Sequence, residues 1–136
     1  MPRTAAIRKP KPAPSAAVTI TLPELAKDET YAGVLLQDGK PSHHLVLLPG
    51  ETTTTWPNAI AWAKTHGGEL PTRKEQALLF ANAANAFTQT WYWSSEEHVD
   101  PGTANYPWIQ NFTNGRQDTT HQSTHSTARA VRRVPI

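Results

Sequence analysis

A chain of 136 residues is long enough for one domain with an appendage and too short for two domains of ordinary size. It contains no cysteine, which excludes disulfides, thiol catalysis and cysteine-based zinc sites. The formal net charge is only +2, and no apolar stretch approaches the roughly 20 residues that span a bilayer, so we expect no membrane insertion.

Charge is unevenly distributed along the chain. The first 12 residues contain four cations and no acid, and residues 129–136 contain three arginines and no acid, so all 11 acidic residues lie between them. A domain that binds nucleic acid over its whole surface is basic throughout, because phosphates repel carboxylates. The composition therefore disfavours nucleic acid as a partner.

Residues 1–17 are predicted to form a basic, proline-rich extended arm, ahead of one domain over residues 18–136. Four prolines in the arm exclude a helix and favour polyproline-like backbone. Such a segment is either a solvated tail or an arm that lies along a partner. In the second case we expect the contacts to come from its cations, which are Arg3, Arg8, Lys9 and Lys11. The absence of an apolar stretch after these cations disfavours a secretory signal.

Three strands are predicted in the first half of the domain, at residues 18–22, 31–37 and 43–49. Each is rich in β-branched or other apolar residues. Asp38-Gly39 lies between the second and the third and predicts a hairpin, because both central residues of a type I′ turn need positive φ. The following residues, 40–42, indicate a loop longer than two residues.

The first helix is predicted to begin near Trp56 and to end at Gly67-Gly68. Pro57 suits a first helical turn, and the hydroxyl of Thr54 or Thr55 can cap an unpaired amide there. A glycine supplies the left-handed conformation of a C-terminal cap. The predicted buried stripe has helical spacing and consists of Trp56, Ala59, Ile60 and Ala63.

A second helix is predicted to begin at Thr72. Glu75 stands three residues later, which is the spacing of a capping box, where hydroxyl and carboxylate each accept a hydrogen bond from the other residue's amide. The buried face of this helix is predicted to continue through Leu79, Phe80, Ala83 and Phe87.

The last third of the chain is predicted to be rich in loops. Residues 91–95 and 106–112 are expected to form short strands, and Asn114-Gly115 to close a hairpin from the second of them. Residues 117–127 are polar and low in complexity, which favours an exposed loop. Residues 128–134 are predicted to form the last strand.

The side chains of Trp91, Trp93 and Trp108 have two interpretations. On a strand, Trp91 and Trp93 face one side and Tyr92 the other. We expect one side to be core and at least one aromatic ring to remain at the surface. Exposed Trp and Tyr are enriched in protein interfaces, and they also stack on sugar rings.

The order of these motifs resembles the C-type-lectin-like superfold, and within it the bacterial and phage domain family named for the C-terminal domain of a collagen-like adhesin, a family of unknown function. The resemblance covers about residues 31–134. The residues that carry it are Leu70-Pro71-Thr72, Tyr92-Trp93-Ser94-Ser95, Trp108 to Gly115, and Arg129 to Arg132 with Ala130 inserted before Val131. It implies an α+β domain with two helices packed on a small twisted antiparallel sheet, termini that approach each other in that sheet, and long loops on one side. It also suggests a phage or prophage origin.

No catalytic or metal site is expected. His121 and His125 have a spacing that suits metal only on a helix, and the segment between them has poor helix propensity and no third ligand. His43 and His44 point to opposite faces of a strand and cannot share an ion. The resemblance extends to cysteine- and copper-dependent enzymes and to calcium-dependent lectins, but this chain lacks their thiols and their calcium-binding tripeptides. We therefore expect no cofactor and no enzymatic activity.

The sequence thus predicts a non-enzymatic binding domain. We expect a phage-encoded structural or accessory protein, located in the virion or in the host cytoplasm during assembly, that binds phage structural proteins and itself through its arm and loop face. The alternative is an adhesin-like module that binds a host receptor or glycan. The candidate loop-face residues are Tyr106, Asn111, His121 and His125.

Overall fold

The computed structural model describes residues 19–100, 102 and 106–136. The predicted arm, with its four cations, lies outside these residues, so the expectation for it stays a prediction. Within them the chain is α+β, as predicted. Its elements are β1 (Thr30–Gln37), β2 (Lys40–Leu47), β3 (Thr52–Thr54), α1 (Trp56–Thr65), α2 (Arg73–Ala83), a 3₁₀ turn (Ala84–Ala86), β4 (Trp91–Glu97), β5 (Pro107–Asn111), β6 (Gln117–Thr119), β7 (Ser126–Ala128) and β8 (Val131–Pro135).

The described strands form two sheets rather than the one small antiparallel sheet that was expected. The first has the order β1-β2-β8 and is antiparallel, so the first and last strands flank β2. The second has the order β3-β7-β4-β5-β6 and is mixed, because β4 and β7 run parallel. The prediction of an exposed loop over residues 117–127 was wrong at both ends, where β6 and the start of β7 lie, while residues 120–125 form a loop. Threonine-rich segments pair well when a neighbouring strand edge is available.

The β1–β2 hairpin is tighter than predicted. Asp38 and Gly39 have φ of 51° and 77°, and Gln37 pairs with Lys40, so the turn has two residues. Residues 40–42 belong to β2, and an irregularity between Leu35 and Leu36 absorbs the difference in register. The strand predicted at residues 18–22 is absent over 19–22, because this segment has no partner in either sheet.

Helix α1 begins at Trp56 with Pro57 in its first turn, as predicted. Thr55 is the N-cap, but its hydroxyl makes no capping bond, which corrects the expectation of a threonine cap. The Trp56 amide instead donates to the backbone oxygen of Gln122, 3.0 Å away. Gly67, with φ of 77°, follows the helix and has the left-handed conformation that was predicted.

Helix α2 begins as predicted. The Thr72 hydroxyl accepts from the Glu75 amide at 3.2 Å, and the Glu75 carboxylate accepts from the Thr72 amide at 2.8 Å, which confirms the capping box. The predicted apolar face is buried at Leu79, Ala83 and Phe87 and half-buried at Phe80.

Both faces of the five-stranded sheet are covered. Tyr92 and Trp93 are consecutive on β4 and point to opposite faces, yet they are 1% and 0% exposed. Trp93 packs in one cluster with α1, and Tyr92 packs in a second cluster with α2 and the three-stranded sheet. Helix α2 therefore lies between the two sheets, and α1 covers the far side of the five-stranded one. The prediction of a single core face on this strand was wrong.

Candidate functional site

A surface patch of aromatic rings and one arginine lies where β5 begins. We call it the aromatic patch, and its members are Arg73, His98, Tyr106, Trp108 and His121. The guanidinium carbon of Arg73 lies 3.5 Å from the centroid of the Trp108 ring. The rings of His98 and Trp108 are 5.6 Å apart, and those of Tyr106 and His121 meet edge to face at 5.4 Å. Tyr106 is 40% exposed, so the patch is open to solvent.

The position of α2 explains why Tyr106 is exposed while Trp108 is half-buried. Alternate residues of β5 point to the α2 side of the sheet. Gln110 lies beneath the helix, where its side-chain amide donates to the backbone oxygen of Gln76 at 2.7 Å. Trp108, two residues earlier, lies beneath Arg73, the first residue of α2. Tyr106, two residues earlier again, extends past the start of the helix.

A chain of side-chain amides holds Arg73 in place. Gln110 is 1% exposed, and its Oε1 accepts from Gln117 Nε2 at 2.9 Å. Gln117 Nε2 also donates to the backbone oxygen of Arg73, and Gln117 Oε1 accepts from Arg73 Nε, both at 2.9 Å. The guanidinium is thus fixed both by this amide and by the face of Trp108. Buried polar groups that are fully bonded in this way rigidify their surroundings.

An open groove of about 810 Å³ adjoins the aromatic patch. It runs from the β1–β2 hairpin across the first turn of α2 to the β5–β6 hairpin, and we call it the α2 groove. Most of its lining residues have polar side chains, and the full set is Leu35, Gln37, His43, Thr72, Arg73, Lys74, Glu75, Ala77, Glu96, Gln110, Gly115, Gln117 and Arg133.

A buried ionic cluster at the groove ties α2 to the three-stranded sheet. The Glu75 carboxylate is completely buried and lies 2.7 Å from both Arg133 Nε and His43 Nε2. Burial raises the pKa of Glu75, but hydrogen bonds from Arg133, Thr72 and His43 outweigh it, so the pKa lies below its ordinary value. Arg133 also pairs with the exposed Glu69 at 2.9 Å. The cluster is structural, because each of its charges already has a partner.

The structure brings together two of the four candidate loop-face residues. Tyr106 and His121 are in ring contact. Asn111 lies at the other end of β5, five residues or about 17 Å from Tyr106, and its Oδ1 accepts from the Thr113 amide at 2.8 Å. His125 lines a different pocket. The four residues therefore do not form one continuous surface.

This second pocket is lined mainly by hydroxyl groups, and we call it the threonine pocket. It has a volume of about 390 Å³ and lies on the five-stranded sheet. Trp91 forms part of its wall and is half-buried. Its lining residues are Thr53, Thr90, Trp91, Ile109, Asp118, Thr119, Thr120, Thr124, His125, Ser126 and Thr127.

The local structure at both histidine pairs is the one that the sequence predicted. The segment from His121 to His125 is irregular rather than helical, and His43 and His44 have different partners on opposite faces of β2. In the described part of the chain, no group of three or more His, Asp or Glu side chains is arranged to hold a metal ion. No helix among the described residues is long and apolar enough to cross a membrane.

Sequence reasoning did not single out Arg73 and Trp108 as site residues. Trp108 was assigned to a strand and, with Trp91 and Trp93, was interpreted as either a core or an interface aromatic, and Arg73 was assigned only to the start of a helix. Their stacking joins α2 to β5 over 35 positions of sequence, and no local pattern indicates it. The alternation of Tyr106 with Trp108 was the one available signal, since it places both rings on one side of a strand.

No protein-family profile matches this sequence, and no curated protein matches it either.

Proposed function

We propose that this protein is a non-enzymatic binding domain with a C-type-lectin-like fold, and that it binds a protein partner through the aromatic patch and the basic arm. Two features support the fold proposal. The first and last strands flank β2 in one sheet, and α2 lies between that sheet and the five-stranded sheet, whose far side is covered by α1. Fold alone does not define function, so the proposed binding role rests on the aromatic patch.

The composition of the aromatic patch is the observation that carries the proposal. Tyr, Trp and Arg are the residue types that contribute most to binding energy in protein interfaces. Here Arg73 is stacked on Trp108, and Tyr106 stands two positions before Trp108, and the contacts of Trp108 and Arg73 fix both side chains before any partner binds. A prearranged surface loses less conformational entropy on association.

The proposed setting is a phage particle. The sequence resemblance to phage and bacterial domains supports it, as does the contrast between an acidic body and a basic arm that could extend over a neighbouring subunit. The protein would then be located in the virion, or in the host cytoplasm during assembly. Arg3, Arg8, Lys9 and Lys11 would make the arm contacts.

A comparative pull-down from a lysate of phage-producing cells tests this proposal. The baits are the full chain, the chain lacking residues 1–17, Tyr106→Ala and Leu36→Ala. Leu36 is the matched control, because it is 54% exposed on β1, away from the patch. We expect the full chain and the control to capture the same virion protein. The truncated chain and Tyr106→Ala should capture at least about tenfold less. Equal capture by all four baits would contradict the proposal.

The threonine pocket favours a second candidate function, the binding of a host glycan. An aromatic wall from Trp91 and a ring of hydroxyl groups are suited to a sugar, whose C–H face stacks on a ring while its hydroxyls form hydrogen bonds. If this function holds, Thr124→Val and His125→Ala should remove binding on a glycan array, whereas Tyr106→Ala should not. Absence of array binding by the full chain would exclude it.

A further inference from the structure

The guanidinium of Arg73 is held so that its outer edge remains available. Its inner nitrogen, Nε, donates to Gln117, and its plane lies on Trp108. Neither of its terminal nitrogens has a hydrogen-bond partner among the described residues. An arginine fixed in this way presents two parallel N–H groups, which match the two oxygens of a carboxylate.

The neighbouring cation is also available. Lys74 is exposed, and its ammonium has no ion-pair partner in the described part of the chain. Glu75 is already paired with Arg133 and bonded by His43. Glu96 accepts from the backbone amide of Arg73 at 2.7 Å and keeps its negative charge, because that amide is neutral. With both carboxylates counted and His43 neutral, the three cations of the lining leave the groove a net charge of +1, which Arg73 and Lys74 carry at its rim.

We infer that the α2 groove binds an acidic peptide segment of the protein partner, with a carboxylate on Arg73 and a second one near Lys74. This inference deepens the proposed function, and it depends on that function in taking the partner to be a protein. The groove has the volume of an ordinary ligand site, and Arg73 joins it to the aromatic patch. One segment could therefore occupy both surfaces.

The lining of the groove favours a peptide over an acidic polysaccharide or a phosphate. Leu35 and Ala77 supply apolar surface for a side chain, and the exposed amide of Gln37 can bond to a peptide backbone. The helix start is a poor site for a phosphate, because the amides of Thr72, Arg73 and Glu75 already donate to side-chain oxygens, two of them to carboxylates that repel an anion. The two terminal nitrogens of Arg73 can instead bind both oxygens of a planar carboxylate.

An NMR titration of the full, ¹⁵N-labelled chain tests the inference. The probe is an end-capped hexapeptide of glutamate, with the glutamine hexapeptide as its uncharged match. Inorganic phosphate and an alginate oligosaccharide are titrated separately. We expect saturable shifts of Arg73 Nε–H, the Gln117 side-chain amide and the Trp108 indole N–H with the glutamate peptide only.

Three variants decide whether these two cations are responsible. Arg73→Gln should weaken binding of the glutamate peptide about tenfold or more, because it removes a two-pronged charged hydrogen bond, and Lys74→Gln should weaken it about two- to fivefold, as expected for an exposed pair. Lys74→Gln leaves the contacts of Arg73 intact, so it remains informative even if Arg73→Gln disturbs the fold. Lys64→Gln removes an exposed cation on α1, on the far side of the five-stranded sheet, and should change nothing.

The outcomes separate this inference from the proposed function. Equal weakening by Lys64→Gln, or shifts with alginate or phosphate but not with the glutamate peptide, would overturn the inference. If the peptide fails to bind but the pull-down still depends on Tyr106, the inference fails and the proposed function stands. If the peptide binds as expected and no virion protein is captured, the inference stands and the proposed function fails.

Discussion

Replacing Glu75 with glutamine removes the negative charge at the centre of the ionic cluster. The carboxylate accepts four hydrogen bonds, two from Arg133, one from His43 and one from the Thr72 amide, at 2.7–2.8 Å. A glutamine side chain keeps the shape but has only one acceptor oxygen. If that oxygen faces Thr72 and Arg133 Nη2, the new amide group faces Arg133 Nε and His43. The amide group and both of these partners are donors, so the hydrogen bonds at this side are lost.

The expected loss of stability is about 3 kcal/mol. Removing one partner of a buried ion pair costs roughly 3–5 kcal/mol, because the other charge is left buried and uncompensated. The side chain of Glu75 is 0% exposed, but that of Arg133 is 28% exposed and retains Glu69. These two features of Arg133 place the loss at the lower end of the range. It is still a large share of a typical domain stability of about 5–15 kcal/mol.

Urea unfolding at pH 7 measures this loss as the difference in the free energy of unfolding between variant and parent. Glu69→Gln is the matched control, since Glu69 pairs with the same arginine but its side chain is 63% exposed. Exposed pairs contribute about 0–1 kcal/mol, so the control should remain within that range. A loss below about 1 kcal/mol for Glu75→Gln, or equal losses for both variants, would refute the reasoning.

Three further predictions concern stability. The pKa of Glu75 is lowered by hydrogen bonds that outweigh burial, and that of Glu29 chiefly by its hydrogen bond with an arginine of β8. Each of these two carboxylates therefore stabilises the fold fully above the ordinary glutamate pKa of about 4.3, and this stabilisation is lost as the pH falls below it. In urea titrations, the loss of unfolding free energy in Glu75→Gln should therefore shrink between pH 7 and pH 3. A loss that stays constant over this range would contradict the prediction. In Gly68→Ala, the added methyl carbon would lie 2.5 Å from the backbone oxygen of Val131, which is too close. Thermal unfolding should therefore show a loss of about 1–3 kcal/mol in the free energy of unfolding. Unchanged stability would show that the backbone moves apart freely at this position. Thr72→Ala should cost about 1 kcal/mol through the lost helix cap, whereas Thr72→Ser should cost much less, and equal losses would exclude the capping bond as the cause.

Local patterns were predictable from the sequence because their physics is local. Asp38-Gly39 indicated a turn with two positive φ values, and Thr72 with Glu75 indicated a helix start; both are confirmed. In each case, the residues that decide the conformation stand within four positions of one another. Backbone sterics and capping bonds then act without help from the rest of the fold.

Non-local pairing was not predictable in the same way. The segment over residues 117–127 is polar, and its strands exist because β5 and β3 offer edges to them. Arg129 was read as part of a closing strand, yet its side chain donates to the backbone oxygens of Ala86 and Leu48, 43 and 81 positions away. The contact of Arg73 with Trp108 is of the same kind. The candidate site therefore became visible only when the sheets had been assembled.

Site-specific photo-crosslinking tests the central claim, that the aromatic patch is a protein-binding surface, most directly. A photoreactive phenylalanine derivative replaces Tyr106 in one version of the full chain and Leu36 in another, and each is irradiated in phage-producing cells. The account predicts a crosslinked adduct with one virion protein from position 106 and none from position 36. No adduct from position 106 in correctly folded protein, or the same adducts from both positions, would contradict it.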